Sequence, residues 1–496
     1  MKPLALAFLA GLVSALGFAP LGVWPLTILA FAGLLWLIEA APSLRSALAR
    51  GWWFGVGQFV LGLNWIATAF TYQAAMPAWL GWVAVVLLSL YLAVYPAAAA
   101  GLAWRWHGKH RLALVLLLAA AWIVTEWLRA TLFTGFAWNP VGVTWVGVAG
   151  VAALSAWIGS YALGAVTVLA GGAVYLFGRR RRAEAAIVAL PILLAAASAL
   201  ASGRPPPADP SRPLIRIVQP NIGQQNKWDP GFEAENFRRL ARLSGRPARA
   251  PRLILWPEAS TPDFLSYERG PRRRLAALIG PNDLLLLGGV EPIFDAGGRG
   301  VAALNSVYAL TPDARLPARY DKAHLVPYGE YLPMRPVLSA IGLSRLAPGD
   351  LDFQPGPGPR TLDLGRFGRA GVQVCYEIIF SGQVVDRANR PDFIFNPSND
   401  AWFGAWGPPQ HLAQARLRAI EEGLPVVRAT PTGISAVIDA QGRLRASLPL
   451  GGAGAIDARL PAAAPPTPFA RFGNPLAFAF ALLLVAGAVA ARRKAR

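Results

Sequence analysis

The chain has 496 residues, of which 54% are hydrophobic and only 15% charged, with a mean hydropathy of +0.40. The 47 Lys and Arg against 27 Asp and Glu leave a net charge of +20, which alone would suit a nucleic-acid binder. The hydropathy excludes that as the main reading and points to a membrane protein, and a single cysteine, Cys375, excludes an intramolecular disulfide or a cysteine zinc cluster.

In chain order, apolar runs long enough to cross a bilayer, which takes roughly 20 residues, predict spans at 4–18, 23–40, 52–71, 79–104, 112–130, 151–177 and 184–202, with another at 474–491. The first run follows Lys2 and holds small residues, as a signal peptide would. Seven further runs favour an uncleaved helix. The connections 19–22, 72–78 and 131–150 carry no Lys or Arg. They alternate with basic ones holding Arg45 and Arg50, then Arg105, Lys109 and Arg111, then Arg179 to Arg182. Arg492, Arg493, Lys494 and Arg496 follow the last span. By the positive-inside rule, eight spans put both termini in the cytoplasm and residues 203–473 on the outer face. Fourteen of the 18 Trp precede residue 160, many near span ends such as Trp52, Trp53, Trp104 and Trp106, as expected of an interfacial belt. Glu126 and Arg129 stand one helical turn apart near a span end, where they are expected to snorkel.

This divides the chain into a seven-helix transmembrane domain at 1–202, a soluble domain at 203–473, and a last span with a basic tail at 474–496. Pro-rich linkers at 203–213 and 460–468 bound the soluble domain. Within it, strands are expected at 214–219, 252–256, 284–290, 304–310, 371–380, 392–396, 425–429, 433–438 and 443–448. Helices are expected at 232–243, 270–279, 382–389 and 408–422, and the alternation argues an α/β fold.

Three segments place reactive residues where strands end or loops begin. Glu258 follows the strand-stopping Trp256-Pro257. Lys322 lies in the polar, aromatic stretch YDKAHLVPYGEYLP at 320–333, and it is one of only two Lys in the soluble domain, where Arg otherwise prevails. That choice suggests a need for a compact ammonium. Cys375 sits in the apolar run GVQVCYEIIF at 371–380. Each has an ordinary reading: a strand-end carboxylate, a surface cation beside Asp321, a small buried hydrophobe. Exported domains, however, seldom keep one unused thiol.

WPE at 256–258, GEY at 329–331 with Lys322 before it, VCYE at 374–377 and NPSNDAWFG at 396–404 resemble the nitrilase (carbon–nitrogen hydrolase) superfamily. The resemblance covers the whole soluble domain and implies an αββα sandwich carrying a Glu258–Lys322–Cys375 triad. With spans on both sides, the full chain is similar to the bacterial apolipoprotein N-acyltransferases, which act at the inner membrane with a periplasmic catalytic domain. The implied reaction moves an acyl chain from a phospholipid, such as phosphatidylethanolamine, to the α-amino group of diacylglyceryl-cysteine on an apolipoprotein, by ping-pong through a thioester on Cys375. Glu258 would be the general base, and Lys322 with the Tyr376 N–H would hold the oxyanion. Since a free thiol titrates near about 8.5, a neighbouring base or cation is expected to raise the thiolate fraction.

The resemblance also implies supporting roles. Glu330 would hold Lys322 or assist Glu258; Tyr376 and Glu377 flank the nucleophile; Trp228 matches a substrate-loop Trp. Asn399 and Asp400 would shape a turn near the site, and Trp402 and Phe403 would line a lipid entrance or pack in the core. The Gly/Pro-rich stretch 346–360 and the Trp228 loop are candidate lids. Partners are then the donor lipid, the diacylated acceptor and the bilayer, with no nucleic acid, no metal, no cofactor and a monomeric chain. The alternative keeps the triad in a membrane-tethered amidase or nitrilase that hydrolyses a small amide. A Cys–His enzyme using His324 or His411, and an inert scaffold or transporter, are further readings that the motifs favour less.

Overall fold

The computed structural model describes residues 2–72, 77–201, 207, 209–340 and 352–494. The linker expected at 203–213 and the stretch 346–360 fall partly outside them, so neither is described in full.

Every apolar run read as a span is helical: Pro3–Ala15, Trp24–Glu39, Leu44–Gly62, Leu80–Trp106, Arg111–Thr131, Ser155–Gly178, Arg182–Ala201 and Pro475–Lys494. Among the described residues, four helices are long and apolar enough to cross a membrane, or five if Leu44–Gly62 and Ile66–Tyr72, bent by 49°, form one span. Pro3–Ala15 and Trp24–Glu39 are apolar but shorter. Leu193, Leu194, Leu482 and Leu483 are each more than 60% exposed, a surface that suits hydrocarbon better than water.

Glu126 and Arg129 do not snorkel. They pair at 3.8 Å, both buried, and turn into the bundle. Arg129 donates to the carbonyls of Phe136 (3.0 Å) and Trp138 (2.8 Å), while Glu126 accepts from the Val141 N–H at 2.7 Å. The segment after Thr131 offers these backbone groups no regular ladder, so a buried ion pair satisfies them instead.

The soluble domain is built on two six-stranded sheets. The first contains β1 (Leu214–Gln219), β2 (Arg252–Leu255), β3 (Leu284–Phe294), β4 (Gly300–Leu310), β5 (Ala318–Asp321) and β12 (Gly454–Arg459), in the order β12-β1-β2-β3-β4-β5. The second contains β6 (Thr361–Asp363), β7 (Arg369–Val372), β8 (Phe393–Pro397), β9 (Val426–Ala429), β10 (Ala436–Ile438) and β11 (Leu444–Ser447), in the order β11-β10-β9-β8-β7-β6. Parallel pairs occupy both centres and antiparallel pairs the flanks. Side-chain alternation sorts the first sheet's two faces. Ile215, Ile217, Leu253, Leu255, Leu284 and Leu286 join a core shared with the second sheet. Val218, Ile254, Trp256, Leu285 and Leu287 pack instead with Leu240 and Leu275 of the helices Glu233–Ser244 and Arg269–Ala276.

Strands β5, β6 and β12 were not expected, and two expected elements differ. The run 371–380 is not one strand: β7 stops at Val372, and a short 3-10 helix, Cys375–Ile379, begins at the cysteine. The helix expected at 382–389 is absent. There the Asp386 carboxylate accepts from the N–H groups of Ala388 and Asn389, a local bond that competes with helix.

Helix Gly407–Glu422 is rich in Gln, Arg and Glu, yet it is almost wholly buried. One side meets β9 and the cysteine segment, and the other meets the membrane half. Glu421 accepts from Ser160 N (2.6 Å), Ser160 Oγ (2.7 Å) and Ser381 Oγ (2.8 Å), and pairs with Arg418 at 2.9 Å. Trp138 Nε1 donates to Gln410 Oε1 at 2.8 Å. The polar residues of this helix thus join the two halves of the molecule.

Candidate active site

Glu258 and Lys322 follow β2 and β5 in one sheet, and Cys375 follows β7 in the other, so the three meet where both sheets end. All three side chains are buried. The turn carrying Glu258 lies flat on β3 because residue 288 is glycine. A Cβ there would come within 2.4 Å of Ala259 N and 2.7 Å of Glu258 Cα.

Asn305, on β4, organises the carboxylates. Its Nδ2 donates to Glu258 Oε1 at 2.7 Å and to Glu330 Oε1 at 2.9 Å, while its carbonyl accepts from Lys322 N at 2.8 Å. Lys322 Nζ lies 2.8 Å from Glu330 Oε2 and 3.8 Å from Glu258 Oε1. Glu330 is therefore the closer partner, and it also accepts from Val326 N at 2.8 Å. Burial opposes the Lys322 charge, but Glu330, Glu258 and Cys375 together hold its ammonium above the ordinary lysine range. Glu258 Oε2 is buried without a hydrogen-bond partner among the described residues, so one carboxylate oxygen is tethered and the other is free to take a proton.

Cys375 has φ = 52°, the left-handed region that a residue with a Cβ enters at some cost in strain. Two side chains, Glu377 and His411, hold it there. Glu377 Oε2 accepts from Val374 N at 2.7 Å, the carboxylate half of a capping box. Its Oε1 accepts from Tyr320 OH (2.8 Å), Ala323 N (2.7 Å) and His324 N (3.1 Å), tying the cysteine turn to the Lys322 loop. Burial pushes the Glu377 carboxyl up to about 7, against the pull of Lys322 and those donors. With four donors in contact, Glu377 anchors the backbone. From the other side, His411 Nε2 donates to the Cys375 carbonyl at 3.0 Å.

The thiol itself is not acidic. Burial pushes it well above the ordinary range and Glu258 adds to that, while Lys322 and the Asn399 backbone N–H pull less strongly downward. Burial and Glu258 thus outweigh the downward pull of Lys322 that was expected to raise the resting thiolate fraction.

The other sequence candidates take defined places. Tyr376 is buried with its OH on Gly135 O at 3.2 Å, in the membrane half. Asp400 does more than shape a turn. It is a buried carboxylate bound to Arg428 (2.6 Å), with His411 Nδ1 3.0 Å away. Phe403 packs in the core against Trp65 and Trp138, with ring centroids 4.7 and 5.4 Å away. Trp402 meets Tyr72 edge-on at 5.7 Å, and its Nε1 donates to the Asn399 amide oxygen at 3.0 Å. Trp228 is partly exposed beside a cavity that also reaches Glu258. Neither histidine faces the sulfur: His411 is engaged as above, and His324 stacks on Phe380 (3.8 Å) with its Nε2 at Thr134 O (3.2 Å).

Residues 10–173 match the apolipoprotein N-acyltransferase N-terminal domain, and residues 214–464 match carbon-nitrogen hydrolase. Proteins described as apolipoprotein N-acyltransferase are similar along nearly the whole chain. That of Caulobacter vibrioides is 40% identical over 515 residues, covering 98% of this chain and 94% of its own. That of Rhodopseudomonas palustris is 37% identical over 511 residues, with the same coverage of each. The chain belongs to the apolipoprotein N-acyltransferase family. It is thus an acyltransferase with a nitrilase-like α/β domain, carried with apolar helices that fit a membrane protein. The Bradyrhizobium diazoefficiens relative, 38% identical over 518 residues, covers 99% of this chain and 95% of its own.

Sequence reasoning missed Asn305, Lys227 and Arg428. Asn305 and Arg428 are polar residues inside apolar strands, a pattern that by itself demands a buried partner. Lys227 is the other lysine of the soluble domain, and the scarcity argument used for Lys322 applied equally to it.

Proposed function

We propose that the protein transfers an acyl chain from a membrane phospholipid to the N-terminal amine of a diacylated apolipoprotein through a thioester on Cys375. The observation that carries this is the split environment of Glu258, whose Oε1 is tethered by Asn305 while its buried Oε2 has no partner among the described residues. Glu258 takes the thiol proton as the sulfur attacks the donor's ester carbonyl. The tetrahedral oxyanion is held by Lys322 and the Tyr376 N–H, and collapse expels the lyso-lipid alkoxide, which Glu258 protonates. The acceptor amine then attacks the thioester, Glu258 receives its proton, and the sulfur leaves and is reprotonated. The three carboxylates share two roles: Glu330 and Glu377 hold the frame, and Glu258 moves protons.

Eight spans with both termini cytoplasmic and the catalytic domain periplasmic, in a bacterial inner membrane, complete the reading. The domain limits 1–202, 203–473 and 474–496 belong to it. Its support is the helix over each of eight apolar runs and the alternation of basic and uncharged connections. Two lipid-anchored substrates give a reason for holding the site at the bilayer surface, which a soluble small amide would not need.

Intact mass spectrometry of purified protein incubated with phospholipid tests the chemistry. One acyl group should appear on the wild type, none on Cys375→Ala, and a rate about 10²–10³-fold lower on Lys322→Ala, as for loss of an oxyanion donor. An adduct that persists in Cys375→Ala would remove Cys375 as the nucleophile.

A further inference from the structure

Lys227 ends the short helix Gln224–Lys227, next to Trp228. Its Nζ donates to the Glu258 carbonyl at 2.9 Å and to the Asn399 amide oxygen at 3.2 Å, and lies 5.5 Å from the centre of the Trp228 ring. These partners are neutral. Lys322 has two carboxylates within ion-pair distance, but Lys227 has none among the described residues. Its charge is nonetheless felt at both Glu258 and Cys375. With Trp228, Asn236, Phe237, Glu258 and Pro431 it lines a cavity at the edge of the catalytic site.

Lys227 is half-buried, and a cation drawn even partly from water normally has an anionic partner, because desolvation without one is costly. Here the protein supplies the position and omits the anion. A lipid acyl donor carries one: a phosphodiester separated from the ester carbonyl only by the glycerol unit, and an ammonium is a suitable point charge for it. The acceptor brings an amine, which this charge would repel. We propose that Lys227 holds the phosphodiester of the donor lipid while the ester carbonyl lies at Cys375, which makes it a specificity residue for phosphate-bearing donors. This rests on the reading of the protein as a phospholipid-dependent acyltransferase. Burial pulls the ammonium down to about 8 against Glu258 and Cys375, as expected for an under-compensated charge.

The test uses full-length protein in detergent with two donors, a diacyl glycerophospholipid and uncharged p-nitrophenyl palmitate, and follows acylation of Cys375 by mass. The readout is the ratio of the two rates within one preparation, which the folded fraction does not alter. Lys227→Gln should slow acylation by the phospholipid about 10–100-fold more than acylation by the nitrophenyl ester, the range for a hydrogen bond to a charged group. Lys227→Arg, which keeps the charge, should preserve most of the ratio. An unchanged ratio in Lys227→Gln, or a loss confined to transfer onto an amine, would overturn the phosphate role. Wild-type protein that takes an acyl group from neither donor would overturn the proposed function itself.

Discussion

Asn305 shows how much of the site depends on one neutral side chain. It gives one N–H to each of two carboxylates that would otherwise repel across the Lys322 ammonium. Asn305→Leu keeps the approximate volume and removes the donors. We expect acyl-enzyme formation to fall about 10–100-fold, with Asn305→Asp lower still because a third carboxylate faces the pair; single-turnover rates would check both. Lys227 gives a pH signature. With its ammonium near 8, the charged form prevails below that value and is lost above it. Acylation by phospholipid should therefore decline as pH rises through about 8, relative to the uncharged ester in the same buffers. A pH profile common to both donors would speak against it.

At the scale of elements, the helix Gly407–Glu422 and the turn at Cys375 were the hardest to read. The helix has enough Arg, Glu, Gln and His to look solvated, yet Gln410, His411, Arg418 and Glu421 are buried against partners more than 30 residues away in sequence. Nothing local announces those partners. Glu421→Ala would leave Arg418 buried without its carboxylate. Breaking such a pair costs about 3–5 kcal/mol, which should appear as a clear fall in melting temperature in detergent, and an unchanged melting temperature would mean that water replaces the pair. The cysteine turn was hidden for a different reason. Val372, Val374, Ile378 and Ile379 form an apolar run, and burial alone does not reveal that the backbone leaves the sheet at residue 373. Glu377 makes the turn, and three of its four donors come from the distant 320–324 stretch.

For the whole molecule, the charge that opened the question divides unevenly. Residues 1–202 and 474–496 carry +12 of the +20, largely in the basic connections, and residues 203–473 carry +8. On the proposed topology most of the surplus is an orientation signal, and the remainder can favour anionic lipid. Reporter tags at either terminus should be reached only from the cytoplasmic side, and a tag inserted in the outer domain only from the periplasm. Access to either terminus from the periplasm would reverse the proposed topology.

Taken alone, the sequence determined the apolar helices and most central strands, and its motifs singled out Glu258, Lys322 and Cys375 as candidates. Hydrophobic periodicity and strand-end motifs are local properties, written in consecutive residues. Only the tertiary structure decided that Glu126 and Arg129 turn inward, that Asp400 binds Arg428 and His411, and that Asn305 stands between two carboxylates. The physical reason is that a buried polar group must find its partner wherever packing brings one, and those partners lie in other elements.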